Sequence, residues 1–178
     1  MATETDFQDA LKWCLEYEGG YSNDPQDLGG ETNLGITHTE YDAYRRAKGL
    51  TPQSVRYITY SEAADMYRHK YWEAAGCPQM PRRIAISVFD WQVNSGRGVQ
   101  LLQQLIGSQV DGVFGPKTLN DLKYYLSKHS EMELVQRYAQ TREETYKSWA
   151  VGSQAVFRQG WLRRNEDLAA KLGVTVTA

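Results

Sequence analysis

The sequence predicts a mainly α protein with at most a small β-hairpin near residues 20–37. Apolar residues recur at steps of three and four in nearly every long segment. The pattern Thr-x-x-Glu, a helix-opening device, stands before two of those segments. Turn formers crowd instead into one stretch, EGGYSNDPQDLGGETNLGIT, from Glu18 to Thr37. At 178 residues the chain can bury one substantial core, or two small lobes that share one. One compact body is expected, because no linker, low-complexity tract or repeat divides it.

The first helix is expected from Thr5 to Glu18, with Phe7, Leu11, Cys14 and Leu15 on one face. Thr5 or Asp6 can cap its start, and Gly19-Gly20 can end it by supplying a left-handed residue. Turns follow, with a possible hairpin around Asn33 to Thr37. Thr37-x-x-Glu40 opens a helix through Ala47 that Lys48-Gly49 closes. Thr59-x-x-Glu62 opens another of about fourteen residues, whose face carries Ala63, Tyr67 and Tyr71 before Gly76-Cys77-Pro78 stops it. The apolar run IAISVFDWQVNSG places Ile84, Val88 and Trp91 on one side and ends at Gly96. VQLLQQLIG comes next, then the turn VDGVFGPKT, in which Pro116 suits a first helical position. Further helices are expected through Ser127, from Glu131 to Ala150, and from about Phe157 to Leu172.

Composition narrows the function classes. Hydrophobic and charged fractions of 41% and 24% are those of an ordinary globular protein. Twelve tyrosines and five tryptophans supply flat, hydrogen-bonding faces of the kind sugars prefer, although aromatics chiefly fill cores. A net charge of −2 argues against a protein that grips nucleic acid. Arg82-Arg83 and Arg163-Arg164 read as solvated helix faces. The start MATETDFQDALKW has neither a basic leader nor an apolar signal core, and no run is long enough to span a bilayer. A soluble protein made in a cytosol, with no stable membrane insertion, is expected. Cys14 and Cys77 read as buried free thiols. His38, His69 and His129 show no metal-ligand spacing, DPQDLGGE lacks the alternating oxygens of a calcium loop, and neither a nucleophile elbow nor a phosphate loop occurs. No cofactor or metal is expected.

Glu18 falls at four, three and four residues from Cys14, Leu11 and Phe7, so a carboxyl shares the apolar stripe. Burial and the negative end of a helix both disfavour ionised carboxyls. A carboxyl that keeps its proton is what a general acid needs. Asp27, in a wetter glycine-rich loop, fits the partner carboxylate, and Asp24 competes for that role. Thr32, past Gly29-Gly30, offers a hydroxyl to hold a water beside Asp27. Such an acid, base and water arrangement hydrolyses a glycosidic bond, with inversion if the carboxyls leave room for the water. An ordinary turn with a solvated glutamate remains the plain alternative.

EGGYSNDPQDLGGETNLGIT resembles the signature of glycoside hydrolase family 108, peptidoglycan-cleaving N-acetylmuramidases common among phage endolysins. SEAADMYRHKYW, FDWQVNSG and LLQQLIGSQVDGVFGPKT resemble later stretches of that family, and FRQGWLRRNEDL its closing helix. The resemblance implies a lysozyme-like two-lobed helical fold, with a catalytic region over 5–91 and a predicted peptidoglycan-binding region over 92–172 packed into the same body. It implies Glu18 as proton donor, Asp27 as base or water-orienting carboxylate, and Thr32 as water holder, with Tyr21 and Asn94 as cleft residues. The Asp-to-Thr interval differs slightly from that of the best-known phage lysozymes, which leaves Asp24 open. The substrate implied is bacterial peptidoglycan, acted on by a monomer that reaches the wall through a holin or a secretion system. A lytic transglycosylase using Glu18 alone, or a wall-binding protein without activity, are the rival readings.

Overall fold

Eight α-helices and one two-stranded antiparallel sheet form the regular structure in a computed structural model that describes residues 1–25 and 29–177. The architecture is mainly α with one small hairpin, as the sequence predicts. The chain divides into two units, Gln8–Lys70 and Met1–Phe7 with Tyr71–Ala178.

Helix α1 (Glu4–Leu15) is capped by Thr3 rather than by Thr5 or Asp6. Asp6 Oδ2 accepts from the Thr3 amide at 2.7 Å and Thr3 Oγ1 from the Asp6 amide at 3.3 Å, a reciprocal cap. Phe7, Leu11 and Cys14 are fully buried, so the stripe is real. The helix nevertheless ends at Leu15, three residues before Glu18. A tight turn, in which the Tyr17 amide donates to the Cys14 carbonyl at 3.1 Å, closes it. Neither Gly19 nor Gly20 takes a left-handed conformation, so the glycines are not the stop.

In the unit Gln8–Lys70, β1 (Thr32–Asn33) pairs with β2 (Ile36–Thr37), and α2 (His38–Ala47) follows at once. Thr37 with Glu40, and Thr59 with Glu62, both form the expected capping boxes, the second opening α3 (Tyr60–Tyr67). Glu62 also holds α3 to α2: Tyr41 donates to it at 2.7 Å and Arg45 at 2.8 Å. α3 runs on into a π-helical stretch, Arg68–Glu73. The wider turn shifts the helical phase, so Trp72 is buried while Tyr71, expected on the buried face, is half-buried.

In the other unit, Phe7 packs against Trp72 and Phe89 at centroid distances of 5.5 and 6.0 Å. Every residue of α4 (Arg82–Ser95) from Ile84 to Trp91 is buried, so this helix is wrapped on all sides rather than on one. α5 (Gly98–Ile106) approaches α4 so closely that a Cβ on Gly98 would stand 2.3 Å from the Val88 carbonyl oxygen. α6 (Pro116–Leu126) begins on the expected proline. The DGVFGPKT turn before it is pinned by the buried Gln103 amide, which accepts from the Asp111 and Gly112 amides at 3.1 and 2.9 Å. The same amide donates to Asp111 Oδ1 at 2.8 Å. Its conformation is thus explained by internal bonds.

α7 (Glu131–Trp149) and α8 (Arg158–Lys171) complete this unit. Arg164 on α8 is 5% exposed, which overturns the reading of Arg163-Arg164 as a solvated patch. Its guanidinium donates to Asp90 Oδ1 at 2.9 Å, and that of Arg142 on α7 to Asp90 Oδ2 at 2.7 Å. Burial pushes the Asp90 carboxyl up, but Arg164 and Arg142 outweigh it and hold the group below its ordinary range. Cys14 and Cys77 are buried free thiols, as expected. Among the described residues no helix is long and apolar enough to cross a membrane.

Candidate active site

The hairpin turn Asn33-Leu34-Gly35-Ile36 has both central residues at positive φ, 52° for Leu34 and 73° for Gly35. Two such residues make the primed turn that matches strand twist. Leu34 is a costly residue there, since L side chains lose about 1–2 kcal/mol in that region. Its carbonyl is held by the Tyr67 hydroxyl, which donates at 2.8 Å from α3.

Glu18 reaches the same point. A Cβ added to Gly35 would stand 2.8 Å from Glu18 Oε2 and 2.5 Å from the Tyr67 hydroxyl oxygen. The half-buried carboxyl, the phenol and the turn therefore meet where only glycine fits. Gly35→Ala is expected to cost at least about 1–2 kcal/mol in stability and to displace Glu18 or Tyr67. Urea unfolding and a wall-digestion assay check this, and a variant equal to the parent in both would refute the tight fit.

Thr32 lies in β1, half-buried, opposite Thr37. On its other side Ser22 exchanges both backbone hydrogen bonds with it at 2.9 Å, which extends the hairpin by one bridge. Tyr21, next to Ser22, is 38% exposed and donates to Glu31 Oε1 at 2.8 Å. Ser54 donates to Glu31 Oε2 at 2.9 Å, and the Arg56 guanidinium lies 5.2 Å from the Tyr21 ring centroid. The Tyr21 and Ser54 hydroxyls hold the Glu31 carboxyl below its usual range.

The structure thus brings Glu18 to the hairpin turn and sets Thr32 and Tyr21 along the same short ladder. Asn94 belongs to the other unit, in the last turn of α4, where its Oδ1 accepts from the Tyr146 hydroxyl at 2.6 Å. Asp27 lies outside the described residues, and Asp24 is exposed.

Tyr67, Gly35 and Glu31 carry parts of this arrangement that sequence reasoning did not assign. The Leu-Gly pair between two short β-prone runs was the available signal for the turn. Nothing local marked the Tyr67 hydroxyl, whose partner is 33 residues away. Chemically, a half-buried carboxyl set beside a phenol at a tight turn offers polar oxygens at one point of the fold. A surface carboxylate fixed by two hydroxyls can accept hydrogen bonds from a polyol. Among the described residues no group of three or more His, Cys, Asp or Glu is placed to hold a metal.

Comparison with known proteins finds likenesses for these residues. Residues 11–96, which include Glu18, Tyr21, Asp27, Thr32 and Asn94, match Glycosyl hydrolase 108. Residues 97–166 match a Predicted Peptidoglycan domain. No curated protein matches the chain. Nine chains of solved structures do, among them SagA of Brucella abortus, with a TM-score of 0.74 and 28% identity over 96% of this chain and 95% of that one. The helical fold is lysozyme-like. Residues 11–96 are thus similar to glycosyl hydrolase 108 and the residues behind them to a peptidoglycan domain, and together the two matches support a peptidoglycan-degrading enzyme.

Proposed function

We propose that the enzyme is a muramidase that hydrolyses the β-1,4 bond between N-acetylmuramic acid and N-acetylglucosamine. Glu18 is its general acid. The observation that supports this most is the position of the Glu18 carboxyl, tucked against the Gly35 turn beside the Tyr67 hydroxyl. There it has a fixed orientation and one face closed by protein, which favours delivery of a proton to a single leaving oxygen.

Asp27 serves as base or water-orienting carboxylate, with Asp24 as the competitor, and Thr32 holds the water. Tyr21 and Asn94 contact the glycan. The catalytic region spans 5–91 and the wall-binding region 92–172. The setting that fits is a phage endolysin or a secreted effector, acting as a monomer on a wall it reaches through a holin or a secretion system.

Mass spectrometry of digested peptidoglycan tests the bond and the outcome. New reducing ends on N-acetylmuramic acid support hydrolysis there, whereas anhydro-muramic ends would replace it with a lytic transglycosylase using Glu18 alone. Asp27→Asn and Thr32→Ala are each expected to lower the rate at least about tenfold, the loss typical of a removed base or water ligand. Their far-ultraviolet circular dichroism should not change. Full activity in Asp27→Asn would pass the role to Asp24 or to neither.

A further inference from the structure

We propose that a groove formed by α4, α5 and α7 binds the peptide stem of peptidoglycan through a free carboxylate. The substrate class rests on the reading above. The groove has a volume of about 380 Å³, and its lining includes Trp91, Arg97, Gln100, Gln104, Thr141 and Thr145. All but Trp91 lie within the peptidoglycan domain match.

Its floor is rigid. Trp91 is 2% exposed, stacked on Trp149 at 5.5 Å and edge-on to Tyr146 at 5.1 Å, with the Arg142 guanidinium 4.8 Å from its ring centroid. Its walls carry unspent polar groups. The Arg97 guanidinium rests over the Trp149 ring at 5.3 Å and has no ion-pair partner among the described residues. Gln100 and Gln104 are exposed and make no side-chain hydrogen bond among the described residues. Thr141 and Thr145 donate their hydroxyl protons to carbonyls of their own helix at 2.9 and 2.8 Å, which leaves their oxygens as acceptors.

The charge of the ligand follows from what lines the groove. It holds a guanidinium and no carboxylate. By contrast, the groove over α2 and α3 already matches its charges, with Lys48 on Asp65 at 2.6 Å and Arg45 on Glu62 at 2.8 Å. A planar guanidinium pairs best with a carboxylate, and side-chain amides pair with peptide groups. Leu101 and Val110, the latter 55% exposed, add apolar wall of a size that suits alanine methyls. A wall stem, rich in alanine and bearing free carboxylates, meets all three demands. A bare chitin-type glycan meets only the hydrogen-bonding one.

The test titrates the full chain with the free stem tetrapeptide, with the same peptide amidated at its carboxylates, and with chitotriose, following heat and tryptophan fluorescence. Saturable binding of the free peptide is expected, weakened about tenfold or more by amidation or by Arg97→Ala, the range for losing a charge-assisted pair. Gln104→Glu should weaken it as well by placing a carboxylate on the wall, and it serves if Arg97→Ala fails to fold. Glu18→Gln should bind the stem as the parent does, so a failed acid assignment leaves this result standing, and the reverse holds. The proposal is overturned if the free peptide does not bind. It is equally overturned if Arg97→Ala and Gln104→Glu bind the peptide as the parent does, or if chitotriose competes for the groove with equal affinity.

Discussion

Glu18→Gln should lower peptidoglycan cleavage by about a hundredfold to ten-thousandfold, the contribution of a positioned general acid. The substitution keeps size and hydrogen-bonding capacity, so the packing against Gly35 and Tyr67 should persist. Affinity for the wall, measured by co-sedimentation, should therefore hold while turnover falls. Release of muropeptides at the parental rate would remove Glu18 from the chemistry. Tyr67→Phe provides the companion measurement, since it deletes only the hydroxyl that fixes the Leu34 carbonyl. If the turn positions Glu18, that variant should lose activity with little loss of helix content.

Replacing Asp90 by Asn should destabilise its unit by about 3–5 kcal/mol, the usual cost of breaking a buried ion pair. Asp90 is shared by two buried guanidiniums, on Arg142 and Arg164, and its loss removes a buried counter-charge from both. A fall in the urea midpoint with an unchanged slope would carry the result. A change below about half a kcal/mol, the scatter of ordinary surface substitutions, would sink it. The pH dependence has a definite sign. A carboxyl whose folded value is depressed contributes fully above its unfolded value, near 3.9, and loses that contribution as pH falls through the lower folded value. Acid titration of the parent should thus show a stability loss below about pH 4 that Asp90→Asn lacks in part. Asp90 lies within residues 11–96 and both arginines within 97–166, so these ion pairs join residues of the two family matches.

What the sequence determined by itself was local. The capping boxes at Thr37 and Thr59 and the proline opening α6 couple residues three or four apart or act within one residue, and all three were legible. The buried stripe Phe7, Leu11, Cys14 was legible for the same reason, and it drew attention to Glu18. Tertiary structure decided the rest. The first helix stops at Leu15 although the stripe runs on, because the chain tightens into a turn that periodicity does not register. The π-helical stretch turns Trp72 inward through a change in residues per turn that a fixed period cannot express. Arg164 reads as surface until Asp90, 74 residues away, is placed beside it. Glu18 acquires its setting in the same way, from a turn at Gly35 and a phenol on α3 that only folding brings together. Local patterns specify helices and nominate a carboxyl, whereas the surroundings that would make it an acid are non-local contacts, fixed by packing rather than by spacing.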